Sequence, residues 1–350
     1  MEKYEQILGC LLGTAVADAV GLKREGLSKK RGRKLYGVPP LMPNLILGRG
    51  FCSDDTEHTM MVGRALALSQ GDPVAFEKIF VGELKRWFVC LPAGVGLGTL
   101  RACLKLLLGV SPQRSGVNSA GNGPAMRSAL LGIYAETDPQ VAQLVRVCTR
   151  VTHLDSRAEE GALLVAQASR LTSSGSAQAP VEFLQTSALN IQDQGLKTAI
   201  QNAVEHLSRS TDPETFAQEQ GWSKGISGFV NQTVPAALYC WAYSPGDFRQ
   251  AVENAVMLGG DTDSVAAITG AISGANQGAG AIPAEWLSHL AEWPRNQKWM
   301  ESLAVSLAEP QQISEAVSPP GMRWLATIPR NLAFACVVIT LGFRRLLPPY

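Results

Sequence analysis

A chain of 350 residues is long enough for two domains or one large one, and buries about three quarters of its surface on folding without needing staples. Hydrophobic residues make up 46% and charged residues 17%, which excludes a disordered polymer. Thirty-one Lys and Arg against 30 Asp and Glu leave a net charge of +1, which excludes an acidic tail and the basic footprint of non-specific nucleic-acid binding.

The chain opens on MEKYEQILGCLLGTAVADAVG. Two Glu precede the apolar run and Asp18 lies inside it, so the order of a secretory signal is missing and a mature helix is expected. Ile7, Leu8, Leu11, Leu12, Ala15, Val16, Ala19 and Val20 recur at helical spacing and form one apolar stripe. Residues 22–50, rich in Gly, Pro and basic side chains, are expected to be one long irregular connection, a type of segment that is often functional. Helical patterns then follow at about 55–69, 74–90, 98–109, 123–135, 139–152, 157–172, 181–208, 232–243, 247–258 and 264–276. Alternating strand patterns are scarce and no repeat of fixed period is found, so the expected fold is all-α. Residues 308–350 are set apart as a linker, EPQQISEAVSPPG, and an apolar tail. No run of 18 uncharged apolar residues occurs, and no membrane span is expected. The seven cysteines (10, 52, 90, 103, 148, 240 and 336) are widely spaced and lack a CxxC pair, as in the reduced, mostly buried thiols of a cytoplasmic protein.

Two acidic clusters stand out. Ser53-Asp54-Asp55-Thr56 precedes a helix; read plainly it is an N-cap, with Asp54 and Glu57 spaced for a capping box. Read chemically, it offers adjacent carboxylates and hydroxyls whose like charges need a cation to offset them. Gly259-Gly260-Asp261-Thr262-Asp263-Ser264 is harder to explain as a cap, because one cap needs one Asp. Positions i and i+2 do not share a helix face, so both aspartates reach one ion only on non-helical backbone, which the diglycine permits. Ala266, Ala267, Gly270, Ala271, Gly274 and Ala275 behind it allow close helix packing. An EF-hand is excluded by Val265 and the absence of a closing Glu. The phosphatase-like DTDSV match lacks the preceding β-strand. Four carboxylates with hydroxyls suit two Mg²⁺ or Mn²⁺ ions rather than zinc. Between the clusters, Ser119-Ala120-Gly121-Asn122-Gly123-Pro124 resembles a turn whose amides can approach a ligand, and Thr152-His153 follows a further helix. Each of these also has an ordinary structural reading.

The ordered set ADAVGLKRE, SDDT, GNGPAMR, TH, VPAALYCW and LGGDTDSVAAITGAISGA resembles the ADP-ribosylglycohydrolase family across about residues 5–300. The resemblance implies an all-α, compact single-domain orthogonal helical bundle over 1–307, a binuclear magnesium or manganese site, and cleavage of the bond between C1″ of ADP-ribose and a protein side chain, arginine or serine, or a small acceptor. It implies Ser53, Asp54, Asp55, Asp261, Asp263 and Ser264 as metal ligands. Ser119, Gly121, Asn122, Gly123 and His153 match positions lining the ADP-ribose pocket, Asp18 supports the metals, and Glu25 falls where some members carry a mobile catalytic glutamate. Ala120 replaces an aromatic that contacts adenine in some relatives, which leaves Tyr134, Phe229 or Trp241 as the platform.

The mechanism expected with that resemblance has Asp54 or Asp55, or else Glu25, position or deprotonate the water that attacks C1″ through an oxocarbenium-like transition state. The alternative is a catalytically weak ADP-ribose-binding module of the same fold. The expected partner is an ADP-ribosylated protein or small conjugate, without sequence-specific nucleic acid, and the chain is expected to be a cytoplasmic monomer. The tail run LAFACVVITLGF is either a final helix packed on the domain, an apolar β-segment, or a peripheral membrane contact.

Overall fold

The computed structural model describes residues 2–171, 178–308 and 318–348. Among them are eighteen α-helices, three 3₁₀ turns and no strand, as the periodicity predicts. The core of the molecule is a pair of helices, α1 (Lys3–Gly21) and the diglycine helix (Thr262–Gln277), packed antiparallel. Their backbones touch. A Cβ at Gly9 would lie 2.1 Å from the Gly274 carbonyl oxygen, and one at Gly13 2.3 Å from that of Gly270. At the far end a Cβ on Gly21 would lie 2.4 Å from the Thr262 carbonyl oxygen. The small residues therefore do what their spacing predicts, and they bring Asp18 to the same end of the pair as Asp261 and Asp263.

Helices wrap this pair and bury its sides. Helix α3 (Asp54–Ser69) carries the SDDT segment at its N-terminus, and Pro73–Val89 packs along it. Ser169 donates to the Ala129 carbonyl, and a Cβ on Gly132 would collide with the Ala166 carbonyl, so the helices Ala129–Tyr134 and Ser156–Arg170 also meet backbone to backbone.

Several expectations change. The 22–50 segment is not wholly irregular: it holds a 3₁₀ turn at Leu22–Arg24 and a helix α2, Lys29–Tyr36. Ser28 caps α2 by accepting from the Arg31 amide, and Arg24 donates to the Tyr36 and Gly37 carbonyls at its far end. This helix, KKRGRKLY, buries only Gly32, so it has no apolar stripe for periodicity to find. The single helix expected over 181–208 is two, Pro180–Asn190 and Gln194–Ser208, because Asp193 starts the second by capping the Leu196 amide. The 123–135 pattern is a 3₁₀ turn, Ala125–Arg127, followed by a short helix. Ser53 does cap α3, accepting from the Asp55 amide, but the capping box is absent. Glu57 instead turns inward, where it accepts from Trp87 Nε1 at 2.7 Å and pairs with the buried Arg295.

The tail is a 22-residue helix, Trp324–Arg345, longer than its 12-residue apolar run, and it carries Pro329 inside. Residues 309–317 of the expected linker lie outside the described residues. The helix is tied to the rest of the molecule. Arg330 pairs with Glu292 at 2.7 Å and donates to the Cys52 carbonyl at 2.6 Å, while Asn331 donates to the Cys90 carbonyl. Phe334 packs with Leu22 and Leu45. Two described helices are long and apolar enough to cross a membrane by length and composition, α1 with its following turn and the tail helix; the first is enclosed by the protein and the second is largely uncovered. Six of the seven cysteines are buried, Cys336 is exposed, and none is in a disulfide.

Candidate active site

The site forms where three loops meet the matched ends of α1 and the diglycine helix. Gly259 and Gly260 both take positive φ, 72° and 81°, and a side chain at Gly260 would strike the Ile226 backbone. This turn is clamped on both sides. Gly26 donates to the Gly260 carbonyl and Gly260 to that of Leu27, while Ile226 donates to Gly259 and Asp261 to Ile226. The backbone therefore holds the Glu25 loop against the diglycine turn and sets Glu25 beside Asp261. Asp261 lies just outside the helix, while Asp263 sits in its first turn, so only one of the two aspartates is on non-helical backbone.

Eleven of the predicted residues line one cavity of about 530 Å³: Glu25, Asp54, Asp55, Ser119, Gly121, Asn122, Gly123, His153, Asp261, Asp263 and Ser264. Two do not. Asp18 is fully buried beneath it, and both its oxygens accept from the Ser53 amide, at 3.0 and 2.9 Å. Its Oδ2 also accepts from the amide and hydroxyl of Thr56, so Asp18 shapes the SDDT turn rather than touching the cavity. Ser53 is buried too, and donates to Asp55 Oδ2 at 2.9 Å.

The two acidic clusters are joined directly. Ser264 donates to the same Asp55 Oδ2 at 3.3 Å, and Asn122 Nδ2 donates to Asp261 Oδ2 at 2.7 Å. Asn122 is thus occupied in holding a carboxylate, with a further bond to Thr233 Oγ1. Burial raises Asp54, Asp55 and Asp263 well above the usual carboxylate range, and the neighbouring negative charges raise them further: Asp18 and Glu25 for Asp54, Asp18, Asp54 and Asp261 for Asp55, and Glu25, Asp261, Asp55 and Asp18 for Asp263. Asp18 is raised to about 7 by burial, against the hydrogen bonds from Thr56 and Ser53. Glu25 is raised by its enclosed surroundings and by Asp261, with Arg345 opposing.

The donor set fits a hard divalent cation. Asp55 Oδ1 and Asp263 Oδ1 are buried with no hydrogen-bond partner, and oxygen donors dominate the surroundings. Among the described residues no three His, Cys, Asp or Glu side chains close into a ready-made cage, so the carboxylates face a shared space without converging on one point.

The opposite wall is built around His153. Its Nδ1 lies 2.8 Å from Thr152 Oγ1, which accepts from the buried Arg127 at 2.7 Å. Its Nε2 faces glycines: a Cβ at Gly98 would lie 2.7 Å from it and one at Gly121 3.2 Å. Burial and the Arg127 charge hold His153 down at about 3, so the ring is neutral. The sequence reading missed the lining segment Gly94–Thr99 and Ser227–Gly228; the first was visible as three alternating glycines, 94, 96 and 98, at the start of the helix Leu97–Leu107. Of the three aromatic candidates, Phe229 is half-buried and its backbone bridges to Gly121, while Arg157 lies over its ring. Trp241 is enclosed in the core against Phe183, and Tyr134 lies against Lys3 and Gly71. None of the three is among the residues lining the cavity; Phe229 directly follows the lining pair Ser227 and Gly228.

An all-helical fold with two acidic segments facing a glycine-lined pocket defines the class, and the comparisons name it. The family model for ADP-ribosylglycohydrolase matches residues 1–316, and the chain belongs to that family. It is 34% identical over 313 residues to a protein of unassigned function from Archaeoglobus fulgidus, covering 87% of this chain and 96% of that one. It is 28% identical to the ADP-ribosyl-[dinitrogen reductase] glycohydrolase of Rhodospirillum rubrum, over 82% of this chain and 90% of the relative. Human ADP-ribosylhydrolase ARH3 is 26% identical, over 79% and 87%. A solved structure described as an ADP-ribosylglycohydrolase-related protein complex superposes with a TM-score of 0.59 at 29% identity, covering 88% of this chain and 98% of that chain. The relatives whose names carry an activity are ADP-ribosyl hydrolases, and the family acts on ADP-ribosylated substrates.

Proposed function

We propose that this chain hydrolyses the C1″ glycosidic bond of ADP-ribose attached to an arginine or serine side chain or to a small acceptor. The observation that carries the reading is the meeting of the SDDT and GGDTDS segments on one cavity, joined through Ser264 and Asp55, opposite a glycine-lined His153 wall. Asp54, Asp55, Asp261, Asp263 and Ser264 would hold two Mg²⁺ or Mn²⁺ ions, with Ser53 joining them by exchanging its bond to Asp55. Bound there, the ions supply charge neutralisation and Lewis-acid activation of the distal ribose hydroxyls and of water.

The chain's own residues do the rest. Asp54 or Asp55 accepts the proton of the attacking water, and the remaining carboxylates face the positive charge that develops at C1″. Asn122 keeps Asp261 turned toward the cavity. Glu25, on the rim and clamped through Gly26, is placed to guide the acceptor or share the proton. The neutral His153 and the amides beside Gly121 and Gly123 receive the polar remainder of the substrate. Of the three aromatic candidates, Phe229, backbone-bridged to the lining residue Gly121, would serve adenine from beside the cavity.

Asp261→Ala and Asp263→Ala are expected to lower turnover by at least about a hundredfold, the scale of losing one preorganised charge, while the cooperative melt persists. Hydrolysis at the parental rate in either variant contradicts the assignment.

A further inference from the structure

The tail helix has two unlike faces. Thr327, Arg330, Asn331 and Phe334 are buried, and Val337, Leu341 and Arg345 continue that seam half-buried. The opposite face is exposed and apolar along its length: Leu325 is 87% exposed, Leu332 52%, Ile339 59% and Phe343 67%. At 100° per residue these side chains fall within one arc, which contains no charged residue. A stripe this long on a helix of 22 residues, about 33 Å, is more than a scattering of surface leucines.

The surroundings say what covers it. Residues 318–348 contain no Asp or Glu, and of their four arginines Arg323 and Arg344 are exposed, while Arg330 is paired with Glu292 and Arg345 lies near Glu25. Beside the C-terminal end lies α2 with its sequence KKRGRKLY, joined to the tail by Arg31, which donates to the Arg345 carbonyl. Lys30 and Arg344 are exposed there. An apolar stripe bordered by cations and empty of anions is the pattern that an anionic bilayer surface accepts. A second copy fits it poorly, because pairing along this face in either direction sets arginine against arginine. Spanning fits no better: Arg330 and Asn331 lie on the middle of the helix, bonded to Glu292, Cys52 and Cys90, and insertion would strip those buried partners.

We propose that the outer face of the tail helix is a docking surface for anionic lipid, on which the helix lies in the plane of the headgroups. This inference does not depend on the hydrolase reading.

The test is co-sedimentation of the full chain with vesicles of phosphatidylcholine alone and of phosphatidylcholine mixed with phosphatidylglycerol. The chain is expected to pellet with the mixed vesicles, to be released by added salt and by alkaline carbonate, and to stay in solution with the neutral ones. Ile339→Asp with Phe343→Asp should weaken binding about tenfold or more without moving the melting temperature, both sites being exposed. Should that pair disturb folding, Leu325→Asp at the other end gives the same readout. No binding, equal binding to both vesicles, or undiminished binding of the variants overturns the proposal. So does resistance to carbonate, which marks a spanning helix. A dimer in sedimentation velocity that the same substitutions dissociate assigns the face to a second copy instead.

Discussion

Asp55 and Asp263 each leave one buried oxygen without a donor, and further carboxylates stand close to both. An unpaired buried oxygen alone costs about 1–3 kcal/mol, a cost that the proposed cations would offset. The other wall shows the reverse economy of charge. Arg127 is completely buried and bonds to neutral groups, on His58, Cys148 and Thr152. Its charge is felt by His153, whose pKa is held at about 3. The folded value lies below the unfolded value near 6.5, so the stability tied to a neutral His153 is present above about pH 6.5 and is lost as pH falls toward 3. His153→Gln is therefore expected to flatten the acid side of the stability profile. Urea midpoints at neutral pH and between pH 4 and 5 measure it; an unchanged difference between the two would contradict the assignment. The motifs that carry these residues were legible because each packs several polar side chains beside glycine where a plain helix would have none. Their partners were not: nothing near Asp18 in the sequence points to Ser53, or near Asn122 to Asp261, since both bonds exist only once the helices are packed.

At the scale of elements, α1 and the diglycine helix were legible both as helices and, from the small residues of the latter, as a close-packed element. The charged helix α2 was hidden because helical periodicity detects a buried stripe and α2 has none. The tail was the larger surprise. Its apolar run is visible, but the reason it is held lies in contacts spanning the chain: Arg330 pairs with Glu292, and Arg295, itself paired with Glu57, donates to Thr327. Glu292 also accepts from the Cys52 amide while Arg330 donates to the Cys52 carbonyl, so the pair grips the residue immediately before Ser53. The tail helix thus supports the acidic site from behind. Arg330→Met should destabilise the protein by about 3–5 kcal/mol, because it strands buried carboxylates, and Glu292→Met added to it should recover part of the loss. Denaturant unfolding of the two single variants and the double measures the coupling; additive losses would mean that the pair carries no joint energy.

For the whole molecule, the fold concentrates negative charge at one end of its central helix pair while the net charge stays at +1. Backbone clamps at Gly26, Gly260 and Ile226 hold that end together before any cation is added. The fold class and most of the site were legible because family motifs and helical periodicity are local properties of sequence. The shape of the rest of the cavity wall was not, because the Glu25 loop and the Gly94–Thr99 segment are set by packing against distant backbone. The central claim is that the joined acidic segments make a cation-dependent ADP-ribosyl hydrolase. Its most direct test is release of ADP-ribose from arginine-modified and serine-modified proteins side by side, with Mg²⁺ and with EDTA. Release from at least one substrate that EDTA abolishes and Mg²⁺ restores is the predicted result, and the substrate that reacts names the acceptor. Release that proceeds equally in EDTA, or tight ADP-ribose binding without release from any conjugate, would contradict the account.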